Sequence, residues 1–186
     1  MIEILNGIHE TVAYDAFNGI RIHHNKNTEN FPLHWHTAME IIMPYRNEYT
    51  VAIGGTPHTF QEGDIWITPP GTLHELHAPA SGERMILMFD YGLICNVKGM
   101  DSLLHSLHPY ALISKKEYPE LNHELRRYLD QICLEYDQQL PFAEASLYAL
   151  MIRFFVALGR TSFNAEEKFP GITQGKQNKN KKKFMK

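Results

Sequence analysis

Helical periodicity is missing from Ile20 to Tyr91, and that absence constrains the fold more than any other feature of the chain. Short segments rich in β-branched and aromatic residues take its place: Ile20 to His23, Met39 to Met43, Tyr49 to Ile53, Thr56 to Phe60, Asp64 to Thr68 and Arg84 to Phe89. Turn-forming residues separate them. Gly54-Gly55 supplies the positive φ angles of a tight hairpin, and Pro69-Pro70-Gly71 ends a strand that proline cannot extend. Strands this short and this closely spaced predict an all-β barrel or sandwich.

After Gly99 the period changes. Tyr118, Leu121, Leu125, Tyr128, Leu129, Ile132 and Tyr136 recur at three- and four-residue steps, which predicts an amphipathic helix from about Glu117 to Asp137. Pro141 suits the first turn of a second helix, which runs through Leu147, Tyr148, Met151, Ile152, Phe155 and Leu158 and stops near Gly159. This second helix is apolar on more than one face. It therefore has surface for a partner chain, with Phe154 and Phe155 as the expected exposed dimerisation residues; the alternative is that both helices merely cover the barrel. The chain thus divides into residues 1–100 as a barrel, 101–163 as a helical hairpin and 164–186 as a linker.

With 186 residues, 44% of them apolar and 21% charged, the chain has material for one substantial core and an accessory element. Its net charge of −3 conceals an uneven distribution. Six of the lysines fall within residues 176–186, where there is no acid, and without them the charge is −9. So acidic a body is poorly matched to DNA, where Lys and Arg must neutralise phosphates. No signal peptide opens the chain, and Arg153 interrupts its most apolar stretch, so a cytoplasmic protein with no membrane partner is expected. Cys95 and Cys133 lack CxxC spacing and sit among apolar neighbours, which reads as reduced structural thiols.

The residues that carry chemistry lie in His34-Trp35-His36-Thr37-Ala38-Met39-Glu40 and, further on, in Gly63-Asp64-Ile65-Trp66-Ile67-Thr68-Pro69-Pro70-Gly71-Thr72-Leu73-His74. Side chains alternate in extended chain, so His34 and His36 share a face that Glu40 can rejoin. His74 must arrive from elsewhere in the barrel. Imidazole and carboxylate are suitable ligands for a divalent first-row metal such as zinc, nickel, manganese or iron. Each also has a common role without metal, lining a pocket or hydrogen-bonding a neighbour. By the same alternation Ile42 faces inward, as does Trp66 if its strand keeps the phase. Tyr49 and Arg84 are compatible with the pocket and equally with solvent. His23, His24, His58 and His77 read as turn or surface histidines.

These two segments resemble the paired motifs of the cupins, G-x5-H-x-H-x3-E-x6-G and G-x5-P-x-G-x2-H-x3-N. His34, His36 and Glu40 match the first, which lacks both glycines and has Asn47 at the closing position; Gly63, Pro69, Gly71 and His74 match the second, with Ala78 where asparagine is usual. The resemblance implies a cupin β-barrel, with His34, His36, Glu40 and His74 as metal ligands.

Taken with the helical hairpin and the linker opening at Lys168-Phe169-Pro170-Gly171-Ile172, the chain resembles the N-terminal half of AraC-family transcription regulators. That resemblance implies a mainly β fold, a cupin barrel binding a small effector such as a sugar, and a hairpin forming a homodimer. DNA would be bound only through a helix-turn-helix domain missing from these residues, and the chain would not itself be an enzyme. The expected pocket comprises His34, His36, Glu40, Ile42, Trp66 and His74. The first thirty residues become a candidate moving arm, or alternatively an edge strand of the barrel. The competing readings are a metal-dependent cupin enzyme, a dioxygenase or sugar isomerase using the same four ligands, and a stand-alone binding or storage cupin.

Overall fold

A computed structural model describes residues 4–26 and 29–163. The linker expected over 164–186 lies outside the described residues. The chain opens with β1 (Leu5–Asn6) and β2 (His9–Glu10), followed by β3 (Ile20–Asn25), β4 (Phe31–His34), β5 (Met39–Arg46), β6 (Tyr49–Ile53), β7 (Thr56–Phe60), β8 (Ile65–Thr68), β9 (His74–His77) and β10 (Glu83–Phe89). Helix α1 (Met100–Ser106), strand β11 (Ala111–Ile113) and helices α2 (Pro119–Gln138) and α3 (Ala143–Phe163) complete it. The strands form a five-stranded sheet in the order β11-β8-β5-β10-β3 and a four-stranded sheet in the order β4-β9-β6-β7, with a separate small hairpin from β1 and β2.

The fold class is the expected one, a β-barrel of cupin type followed by C-terminal helices. All six expected strands are present within a few residues. Those the sequence did not reveal have physical reasons for their silence. β4 is Phe-Pro-Leu-His and β9 is His-Glu-Leu-His, so neither shows the clean apolar alternation of a half-buried strand. Both hold their place by pairing with each other, Phe31 opposite Leu76 and His34 opposite His74. β11 and α1 are simply short.

Alternation along β5 gives the five-stranded sheet two unlike faces. Met39, Ile41 and Met43 join Ile65, Ile67, Met85, Leu87 and Phe89 beneath the helices. Ala38 and Ile42 join Trp66, Ile86 and Met88 inside the barrel, against Tyr49, Val51, Phe60 and Leu76. The phase predicted for Ile42 and Trp66 is the observed one, since the two pair directly across β5 and β8.

Helix α2 begins with Pro119 in its first turn, where a missing N–H costs nothing, and ends at Gln139 in the left-handed region. Pro141 lies two residues ahead of α3 rather than within its first turn. Both helices share one core with the sheet through Leu121, Leu125, Leu129, Ile132, Leu147, Met151, Phe154, Phe155 and Leu158. The expectation that Phe154 and Phe155 are exposed is therefore corrected, because both are fully buried. The Phe155 ring stands edge-on to Tyr91 at 4.9 Å and stacks with Phe89 at 6.3 Å. Periodicity told which residues share a stripe, but not that the stripe would meet a wholly apolar sheet. Among the described residues no helix is long and apolar enough to cross a membrane.

Candidate metal and ligand site

His34 and His74 face each other across the β4–β9 pair, and Glu40 approaches from the opposite sheet. His36 lies in the connection between β4 and β5, which is tied down where Gly71 N–H donates to the His36 carbonyl at 2.8 Å. Gly71 sits at φ 77°, so the Pro69-Pro70-Gly71 turn both ends β8 and braces the site. Asn47, which stands where the cupin motif closes with glycine, takes φ 65°. Asparagine tolerates that left-handed geometry, so the departure from the motif leaves the turn intact.

All four side chains are buried. The orientation of the imidazoles is the decisive feature. His34 Nδ1 donates to the Pro32 carbonyl at 2.7 Å, His36 Nδ1 to that of Ala38 at 2.9 Å, and His74 Nδ1 to that of Thr72 at 2.8 Å. A carbonyl only accepts, so each Nδ1 carries the proton and each Nε2 presents a lone pair. The three rings offer ligand atoms within 4.8 Å of one another. Glu40 Oε2 lies 3.3 Å from His74 Nε2 and 4.0 Å from His36 Nε2. Those three atoms lack any hydrogen-bond partner.

Buried polar atoms without partners call for an explanation. Three lone pairs gathered within 4.8 Å, with a carboxylate beside two of them, fit a divalent metal, and the carbonyls fix the histidine tautomers as supporting groups around such sites do. The electrostatics agree. Burial would raise the Glu40 carboxyl, but its close approach to His74 and the nearby imidazoles of His36 and His34 outweigh it and hold its pKa down at about 2. Burial pushes the His36 pKa down, favouring the neutral imidazole a metal requires. For His34, burial works in the same direction, yet contact with Glu10 and the charge of Glu40 turn the net shift upward.

Glu10 is the residue that the sequence did not reveal. Its carboxylate stands 3.4 Å from His34 Nε2. It is carried there by the β1–β2 hairpin, which docks on the segment after β4: Trp35 N–H donates to the Ile8 carbonyl and Glu10 N–H to that of Trp35, each at 2.9 Å, and the His9 and Trp35 rings lie 4.4 Å apart. Nothing in residues 4–12 has the form of a motif. Only the docked hairpin brings Glu10 to the histidines.

An inner cleft of about 30 Å³ opens beside Glu40, between residues 10–12 and the strands β3 and β10, lined also by Arg21, His23, Asn25 and Phe31. His23, read from sequence as a surface histidine, lines this cleft, because it stands on the inward phase of β3 opposite Ile86. His58, also read as a surface histidine, is half-buried. Tyr110 and His58 pack ring to ring at 4.5 Å, and the indole of Trp66 stacks on Tyr110 at the same spacing and on Phe60 at 5.5 Å. Ile42 and Trp66 therefore belong to the packed apolar interior, and neither lines the cleft. Ligand pockets that enclose a whole small molecule hold roughly 300 Å³ or more, so a sugar does not fit while residues 10–12 stay in place.

Residues 21–90 match the cupin domain family. Among solved structures, the chain is similar to a cupin-2 domain protein from Shewanella frigidimarina, at 22% identity and a TM-score of 0.35, over 38% of this chain and 71% of that one. An RmlC-like cupin with a double-stranded β-helix fold from Methanocaldococcus jannaschii gives 19% identity and a TM-score of 0.36, over 40% and 73%. Oxalate decarboxylase from Bacillus subtilis gives 22% and 0.33, over 39% of this chain and 21% of the enzyme. No curated protein matched the sequence.

Proposed function

We propose that this chain is the sensing and dimerising part of an AraC-type transcription regulator, in which a small effector entering the barrel resets the N-terminal hairpin and the helices that carry a DNA-binding domain. The observation that carries this reading is the single core shared by the five-stranded sheet and the α2–α3 hairpin. Because the helices are fused to the barrel wall, a change in the wall reaches them directly. The hairpin's outer face remains available to a second copy. Its concavities, of about 450 and 380 Å³, are lined by Glu124, Arg127, Tyr128, Gln131, Arg153 and Val156 among others, and Leu134, 57% exposed, continues the same stripe of α2. This stripe replaces Phe154 and Phe155 as the dimer surface.

An effector shifts such a system only through different affinity for two arrangements. Residues 4–12 supply the second arrangement, since they close the cleft and place Glu10 against His34. The test fuses residues 1–186 ahead of a DNA-binding domain that binds its operator only as a dimer. Repression of a reporter, lost on Leu134→Asp, is expected; no repression by the unaltered fusion would overturn the proposal.

The converging histidines favour a second reading, a metal-dependent cupin enzyme. His34, His36, His74 and Glu40 would hold the ion, which when bound would supply Lewis-acid or redox chemistry. Glu10, beside His34, would then be the group placed to hold or move a proton near the cleft. Oxygen uptake or sugar isomerisation that rises with stoichiometric metal loading would establish this alternative over the first.

A further inference from the structure

Arg84 is fully buried inside the barrel, and none of its guanidinium nitrogens has a hydrogen-bonding partner. It stands on β10, opposite Asn25 of β3 and two residues before Ile86, on the face that looks toward the four-stranded sheet. Its Cζ lies 4.8 Å from the centre of the Tyr49 ring and 5.2 Å from that of Phe31. The two rings attract the cation but cannot satisfy the five N–H donors of its plane. The Tyr49 hydroxyl and Asn25 Oδ1 nearby are also buried without partners.

A guanidinium does not shed its proton in proteins, and buried charges are normally paired. Of the groups that act on Arg84, Tyr49 is the foremost, and two carboxylates, those of Glu40 and Glu29, act from a distance. Glu40 faces His74 and His36, however, and Glu29 lies in an exposed segment, so neither hydrogen-bonds the guanidinium. Three neighbours of Arg84, namely Asn25, Phe31 and Ile86, are walls of the cleft beside Glu40. The unmatched charge thus lies alongside the cleft described above.

We propose that Arg84 anchors a small organic monocarboxylate that enters through this cleft, its carboxylate accepting parallel hydrogen bonds from the planar guanidinium. Such fork-to-fork pairing is the strongest match available to a guanidinium. A monoanion fits the single unmatched charge, and the faces of Phe31 and Tyr49 with the side chain of Ile86 suit an organic group rather than a hydrated one. A dianionic phosphate would meet Glu10 and Glu40 in the same cleft. The inference rests on reading the barrel as a small-molecule chamber, and it replaces the expected sugar with an acid. Because the cleft holds only about 30 Å³, a ligand of several heavy atoms must displace residues 10–12.

The probes are acetate, pyruvate and benzoate, set against benzamide, glucose and inorganic phosphate, in calorimetric titration and thermal unfolding of the full chain. At least one carboxylate should bind saturably and at least tenfold more tightly than the neutral probes. Arg84→Met should abolish that preference, and without ligand it should unfold at no lower temperature than the unaltered protein, since removing an unpaired buried charge relieves the fold. Arg84→Lys should keep the preference with weaker binding. Equal binding of benzoate and benzamide, tighter binding of phosphate, or an unchanged carboxylate preference in Arg84→Met would each overturn the inference. Glucose binding that is indifferent to Arg84 would overturn it while leaving the barrel a sensing chamber; failure of every probe to bind would count against both.

Discussion

The two faces of the five-stranded sheet share their strands and differ in almost everything else. Toward the helices, Met39, Ile41 and Met43 of β5 meet a surface with hardly a polar atom. Toward the barrel interior, the same strand presents Ile42 beside Glu40, with three histidines and Arg84 close by, several of their polar atoms unpartnered. One face has its interactions completed within the chain. The other is left incomplete, which is the condition of a surface that expects an ion or a ligand. Stability and function are therefore assigned to alternate residues of one strand, and substitutions on the two faces should produce separable losses.

The largest loss should come from the helical face. Phe155→Ala removes a fully buried ring from contact with Phe89 and Tyr91 and should cost about 3–5 kcal/mol in urea unfolding. Metal affinity of the molecules that remain folded should not change; a parallel fall in affinity would show that the faces are not independent. On the inner face, His74→Ala should weaken zinc binding about 100-fold or more, equivalent to about 2.7 kcal/mol, as read by competition titration and elemental analysis. Unfolding without metal should shift as well, because the Thr72 carbonyl loses its donor and Glu40 its neighbouring imidazole, so zinc affinity is read on the folded fraction. An unchanged zinc affinity would remove the four-residue site from the interior.

Asn122 joins the two regions. Its buried amide donates to the carbonyls of Gly63 at 2.9 Å and Ile113 at 3.0 Å, stitching α2 to the end of the β8–β11 pair where Ile113 lies opposite Ile65. Asn122→Ala leaves two acceptors unmatched and should cost about 2 kcal/mol in the same unfolding assay. A loss no greater than that of an exposed substitution on α2 would show that the apolar contacts alone hold the hairpin in place.

The smallest effect is a dependence on pH. Burial pushes the Cys133 thiol up from 9.0 to about 12. Above pH 9 the unfolded chain releases this proton while the folded chain keeps it, so stability falls as pH rises. Between pH 9 and 10 the unaltered protein should lose about 1 kcal/mol more than Cys133→Ala. Equal slopes would mean that the thiol is less enclosed by the helical core than the structure places it.

Legibility in the sequence followed the same division. Alternation in β5 and β8 was enough to place Glu40, Ile42 and Trp66 on the inner side, because a period of two has only two phases. The histidines and Glu40 were found because they sit in a compact spacing. Arg84 carried no spacing signal, and its inward phase became evident only once β10 was paired with β3 and β5. Glu10 and His23 depend on the docking of residues 4–12, a tertiary event without a local period. Phe154 and Phe155 failed for a related reason: a helix apolar on several faces does not say which face finds the sheet.

The division of β5 also limits how such a chain can vary. A substitution at one position alters either the helical face or the chamber, so the two can drift independently. A deletion of one residue within β5 behaves quite differently. Every later side chain in the strand would change sides, and if the loss fell before Glu40 the carboxylate would be delivered to the phenylalanines and Ile41 to the histidines. Between Met39 and Pro44, then, the spelling of the strand is open to revision while its length is fixed, and a lineage acquiring a new ligand would do so by exchange of side chains and never by resizing this strand.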